Sequence, residues 1–141
     1  MKISIASDHA GFEAKQQLIA YLRDKAYTVD DLGPKNNDRV DYPDYAAKVA
    51  ESVMSAQSDR GILVCGTGIG MAMKANKYPG IRAMNPVSEE FAVLGREHND
   101  ANVVCLSARF VDIESNKSIL DAFINTEFGK GRHSQRVEKI G

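Results

Sequence analysis

A cysteine followed by a glycine-rich run is a chemical arrangement as well as a turn. In Cys65-Gly66-Thr67-Gly68-Ile69-Gly70 the backbone can fold so that successive amide N–H groups converge on an anion at the start of a helix, with the sulfur beside it. That is the makeup of an oxyanion hole with a base alongside. Cys65 also has a plainer reading, a small apolar side chain closing a strand, because free cysteine is usually core. The neighbouring glycines favour the chemical reading. Their spacing, G-x-G-x-G, excludes better-known uses: the dinucleotide fingerprint needs glycine or alanine at Met71, and no Gly-Lys-Ser/Thr follows for a P-loop. A cysteine phosphatase of the C-x5-R type would need arginine at Met71. Neither NAD nor ATP is expected as a cofactor.

A second group, Ser7-Asp8-His9-Ala10-Gly11-Phe12, follows the first predicted strand. It brings a carboxylate and an imidazole to the same sheet edge, about one strand spacing from Cys65. Asp8 could shuttle a proton between hydroxyl oxygens, and Ser7 or Asp8 could equally cap the next helix; the two roles are compatible. Near the end of the chain, Arg132 and Arg136 stand four residues apart with His133 between them, spaced on one helical face to clamp a phosphate. Alone, such a pair is ordinarily solvated surface charge, and Arg109 carries the same ambiguity. His98-Asn99-Asp100 closes a helix, where a histidine commonly serves the helix C-terminus.

These groups need a scaffold that brings them together. Strand-like runs at Lys2 to Ser7, Tyr27 to Leu32, Gly61 to Cys65, Ile81 to Met84 and Ala101 to Leu106 alternate with helical patterns. The helices are predicted at Gly11 to Lys25, Pro43 to Ser55, Thr67 to Asn76, Ser88 to Arg96 and Asp112 to Asn125. Ala14, Leu18 and Leu22 recur at helical spacing, and so do Ala46 and Ala50, which marks core faces. Ile62-Leu63-Val64 and Val103-Val104 are continuously apolar, as in a parallel sheet covered on both faces. The prediction is an α/β fold, a three-layer αβα sandwich around a five-stranded parallel sheet in the Rossmann-like, flavodoxin-like order 2-1-3-4-5. Ligands of such a sheet bind beyond the carboxyl ends of strands 1 and 3, where the winding reverses. The Asp8 and Cys65 groups fall there. His98 falls at the opposite, amino edge, so to act on the same substrate it must come from a second subunit. A homodimer with shared active sites is therefore expected.

The chain is long enough for one domain over 1–141, with 131–141 a polar tail that grips phosphate. Net charge is −1 with both signs scattered, which argues against a nucleic-acid or membrane partner and for a small ligand. The first residues hold no signal-peptide or membrane-spanning pattern, so a cytoplasmic location is expected. Cys65 and Cys105, the two cysteines, lack ligand or CxxC spacing, so neither a metal site nor a disulfide is expected.

Ser7-Asp8-His9-Ala10-Gly11, the Gly61 to Gly70 strand and loop, and His98-Asn99-Asp100-Ala101-Asn102-Val103 together resemble the ribose-5-phosphate isomerase type B and galactose-6-phosphate isomerase family over nearly the whole length. Arg132-His133 and Arg136-Val137 complete the likeness. The resemblance implies an aldose–ketose isomerase without cofactor or metal. It implies that Cys65 moves a proton between carbons 1 and 2 while amides from Gly66 to Gly70, including Gly68 and Ile69, hold the enediolate. It assigns ring opening to Thr67 and His98, hydroxyl proton movement to Asp8, and sugar binding to Asn99. Phosphate binding falls to His9, Arg109, Arg132 and Arg136, with His133 nearby, in a dimer with composite sites; whether such dimers pair into a tetramer is left open by the sequence.

Overall fold

Ile3, Ile5, Ile62, Val64, Val104 and Leu106 are fully buried on one face of a parallel sheet, and Ala6, Leu63, Val103 and Cys105 on the other. Continuous apolar runs thus become strands covered on both sides, as their composition requires. The computed structural model describes residues 1–141. In chain order the elements are β1 (Lys2–Ser7), α1 (Phe12–Asp24), β2 (Thr28–Asp31), α2 (Tyr42–Met54), β3 (Arg60–Cys65), α3 (Ile69–Ala75), β4 (Ala83–Met84), α4 (Glu89–Asn99), β5 (Val103–Ser107), α5 (Ile113–Asn125) and α6 (Arg132–Ile140). The starts of three helices follow local chemistry. Pro43 occupies the first turn of α2, Ser88 Oγ accepts from Phe91 N at α4, and Asp112 Oδ1 accepts from Ser115 N at α5.

Every strand pair is parallel, but the order is β2-β1-β3-β5-β4 rather than 2-1-3-4-5. Burial explains the exchange. β5 carries five fully enclosed residues and takes the interior place beside β3, whereas the two half-buried residues of β4 suit an edge. Right-handed crossovers then decide the layers. The connection from β4 back to β5 runs opposite to that from β3 to β4, so α4 joins α1 and α5 on one face while α2 and α3 cover the other. The reversal between β1 and β3 is unaffected. The C-terminal segment, expected as a polar tail with Arg132 and Arg136 on one helical face, is a helix over residues 132–140, α6, which packs on α4.

Lys15 is fully buried, an unusual place for an ammonium group. Its Nζ donates to both Asp31 carboxylate oxygens at 2.8 and 3.0 Å, to the Pro34 carbonyl at 3.0 Å and to Gln16 Oε1 at 3.1 Å. One charge on α1 therefore fixes the turn leaving β2, whose Gly33 carbonyl accepts the Ser7 amide at the end of β1. The Asp31 side chain keeps 32% of its exposure and stays hydrated, so the tie is worth a charged hydrogen bond rather than a fully buried ion pair. Lys15→Met, which preserves volume, should lose about 1.5–3 kcal/mol of stability, read as a lowered urea midpoint at unchanged slope. An unchanged midpoint would contradict this account.

Candidate active site

The carboxyl ends of β1, β3 and β5 carry three loops that are stitched together through their backbones. Asp8 N donates to Val64 O at 3.2 Å, Ala108 N to Cys65 O at 2.9 Å and Arg109 N to Gly66 O at 3.0 Å. Ser107 adds a side-chain stitch, since its Oγ donates to Gly66 O at 2.8 Å and accepts from Phe110 N at 3.0 Å. Register makes these contacts possible: Ser7 pairs with Val64, and Cys65 with Ser107.

Beside the loops after β3 and β5 lies an open cleft of about 430 Å³ lined by Cys65, Gly66, Thr67, Ile69, Gly70 and Arg109, together with Tyr42 and Met73; Asp8 and His9 of the β1 loop are not in its lining. Six of the residues singled out in the sequence thus meet in one place. Cys65 is 6% exposed, and its Sγ accepts the Gly68 amide at 3.0 Å. Such a donor puts positive potential where thiolate charge would lie. Gly68 takes the left-handed conformation, φ +84°, that this turn requires. The amides do not all converge, however. Gly68 N–H is engaged by the sulfur and Ile69 N–H by Thr67 Oγ1 at 3.1 Å, whereas those of Gly66, Thr67 and Gly70 have no acceptor within the chain. Thr67 Oγ1 therefore closes a short turn just ahead of α3, whose cap, Gly68, has no side chain to offer, and the amides of Gly66, Thr67 and Gly70 are left for a ligand.

On the adjoining loop Asp8 is 7% exposed, and its Oδ1 accepts the Gly11 amide at 3.0 Å. Neither Asp8 nor Ser7 caps α1, which begins at Phe12 behind Gly11 and has no side-chain cap. The carboxylate instead folds back into its own loop. His9 Nδ1 accepts the Val40 amide at 3.3 Å, which leaves Nε2 as the ring's donor. The Arg109 guanidinium lies over Gly66, where a β carbon would come within 3.1 Å of it.

Cys105, on the neighbouring strand, is the contrast to Cys65. Complete burial, reinforced by the proximity of Cys65, pushes its thiol well above the ordinary range and keeps it protonated.

Tyr42 was missed in the sequence. It begins α2, and a β carbon on Gly70 would come within 2.5 Å of its ring, so this glycine and this tyrosine set one wall of the cleft together. The available signal was position: Asp41-Tyr42-Pro43 starts a helix, and in a parallel sandwich helix starts share the carboxyl edge of the sheet.

The remaining candidates lie elsewhere in the chain. His98 and Asn99 end α4, antiparallel to the strands, while Arg132, His133 and Arg136 belong to α6 packed beside it. His98 is not the helix cap, a role taken by Asp100 at φ 49°. It stacks on His133 instead, with ring centroids 4.4 Å apart and 15° between the planes. Asp100 locks this corner by accepting from Arg96 and Arg82 at 2.8 and 3.1 Å. Desolvation, then the positive charges of His98, Arg132 and Arg136, hold the His133 pKa below its ordinary value against the opposing pull of Glu97. The fold thus favours neutral His133. Between the ordinary value near 6.5 and the lower folded one the unfolded chain binds more protons, so this contribution to stability is complete above about pH 6.5 and fades as pH falls. An NMR titration should place the His133 midpoint below that of an ordinary histidine, and Arg136→Gln should raise it; a wild-type midpoint above the ordinary value would contradict the arrangement.

The family model described as Ribose/Galactose Isomerase matches residues 3–140. Ribose-5-phosphate isomerase B of Escherichia coli is 43% identical over 139 residues, 99% of this chain and 93% of that protein. Among solved structures, ribose-5-phosphate isomerase B of Clostridium thermocellum superposes with a TM-score of 0.99 at 47% identity, covering 100% of this chain and 95% of that one. Ribose-5-phosphate isomerase B from Mycoplasma genitalium, solved with bound ribulose-5-phosphate, gives a TM-score of 0.95 at 47% identity over 99% of this chain and 93% of that one.

Proposed function

The chain belongs to the ribose/galactose isomerase family, and we propose that it interconverts D-ribose 5-phosphate and D-ribulose 5-phosphate in the non-oxidative branch of the pentose phosphate pathway. It is an aldose–ketose isomerase. The observation that carries the mechanism is the Gly68 amide donating to Cys65 Sγ at 3.0 Å, in a cleft that also offers the free amides of Gly66, Thr67 and Gly70. Once the furanose ring opens, the Cys65 thiolate removes the proton from C2 and returns it to C1. The enediolate oxygen meets the free amides, each worth up to about 3 kcal/mol when aimed at developing charge. Asp8 moves the hydroxyl proton from O2 to O1. His9 Nε2 and the Arg109 guanidinium hold the phosphate.

His98, Asn99, Arg132 and Arg136 enter this scheme from a second copy. The direction of α4 supports this, because it carries His98 to the sheet edge opposite Cys65. In the dimer His98 assists Thr67 in ring opening, Asn99 binds the sugar, the two arginines complete the phosphate grip, and His133 holds His98 by stacking. No helix is long and apolar enough to cross a membrane. Two unpaired thiols suit the reducing cytoplasm, where we place the reaction.

The assay is turnover of ribose 5-phosphate by wild type and Cys65→Ala, with chelator present and substrate binding measured on both. Wild type should turn over, and Cys65→Ala should bind but lose at least about 10³-fold in kcat, as removal of a general base does. Turnover confined to a six-carbon aldose phosphate would reassign the substrate, and binding without turnover of either sugar would make the protein a sensor. Shared sites have their own test. Co-refolding Cys65→Ala with His98→Ala should restore about a quarter of wild-type activity, because half the dimers are mixed and each has one intact site. No recovery would place both residues in one subunit's site.

A further inference from the structure

Asn85 belongs to none of the motifs above and does not line the Cys65 cleft. It is the first residue after the edge strand β4, and its side chain reaches across β5 to the loop that follows β3. Nδ2 donates to Cys105 O on β5 at 2.8 Å and to Thr67 O at 3.3 Å. The second contact falls on a critical peptide. The Thr67 carbonyl and the Gly68 N–H belong to one planar trans unit, so they point in opposite directions. An amide that grips the carbonyl therefore aims the N–H the other way, and that N–H is the donor to Cys65 Sγ.

Without such a grip this peptide has two available orientations. Gly68 sits at φ +84°, and glycine populates negative φ about as readily, so reversing the Thr67–Gly68 peptide meets little intrinsic resistance. In the reversed state the carbonyl, with its negative end, would face the sulfur. The Asn85 amide also packs directly against the Gly68 α carbon, leaving no room there for a β carbon.

Resting on the isomerase reading above, we infer that Asn85 is a positioning residue for the Cys65 thiol: it selects the peptide orientation that presents the Gly68 N–H to the sulfur. A purely structural role, tying β4 to β5, would be served by the Cys105 contact alone.

The test compares wild type, Asn85→Ala and Asn85→Asp, the last retaining shape without the donor. For each, kcat and KM are measured on ribose 5-phosphate, together with the rate at which iodoacetamide alkylates Cys65 in the folded protein and the urea midpoint. Cys65→Ser supplies the blank for Cys105. Both Asn85 variants should lose about tenfold in kcat, the equivalent of one hydrogen bond at the reacting group, with KM within about twofold, and Cys65 alkylation should slow severalfold. Wild-type kcat and alkylation in both variants would overturn the inference, as would a loss that only follows the folded fraction. The two readings fail separately. A wild type inert on every sugar phosphate, but with alkylation still slowed by Asn85→Ala, would remove the isomerase and leave the thiol-positioning role standing.

Discussion

The carbonyl of Val64 accepts the Asp8 amide and lies so close to the α carbon of Gly11 that no β carbon fits between them. The rest of the cleft depends on this approach. It draws the loop after β1 onto the end of β3, and the Asp8 carboxylate completes the turn by accepting the Gly11 amide. Asp8 is thereby held one residue from the strand end, beside the strand that carries Cys65. The buried Lys15, one turn into the same helix, extends the constraint to the segment leaving β2. From there the chain reaches Val40, whose amide orients His9. A carboxylate and an imidazole that are neighbours in the chain, and a thiol from a distant part of it, are thus placed by backbone contacts at the reversal of the sheet, where doubly wound folds bind ligands.

Much of this was legible because burial writes a simple pattern. Short β-branched runs such as Ile62-Leu63-Val64 fit strands covered twice, and the spacing of Ala14, Leu18 and Leu22 fits one face of a helix. The order of the last two strands was not legible, since Ala83–Met84 is too short to declare itself an edge and local patterns carry no information about which strand lies beside β3. α6 was legible only in part: the spacing of Arg132 and Arg136 put both on one helical face, but no residue of the helix is buried, so no run of core positions marked its extent.

Within the site, residue types were easier to read than hydrogen-bond accounts. The glycines announced a turn with amides to offer, but which amides remain free depends on Thr67 Oγ1 and Cys65 Sγ, whose directions follow from the folded turn. Asn85 lay in no motif because its partners are backbone carbonyls, which every residue possesses. The two cysteines show the same limit. Both sit in apolar runs, yet one ends its strand at the cleft and the other lies two residues inside it, and that offset separates an accessible sulfur from a sealed one.

α6 has a consequence of another kind. It is joined to the body by the His98–His133 stack, by its packing on α4 and by the Gly129 amide on the Glu97 carbonyl just before it, while the sheet and its flanking helices share two continuous apolar cores. A helix so lightly held opens at a lower free energy than the domain. In the composite arrangement proposed above, that helix bears two of the arginines on the phosphate, so heat inactivation and heat unfolding become separate events. Turnover would fade, reversibly, over a range of temperature in which the sheet remains intact.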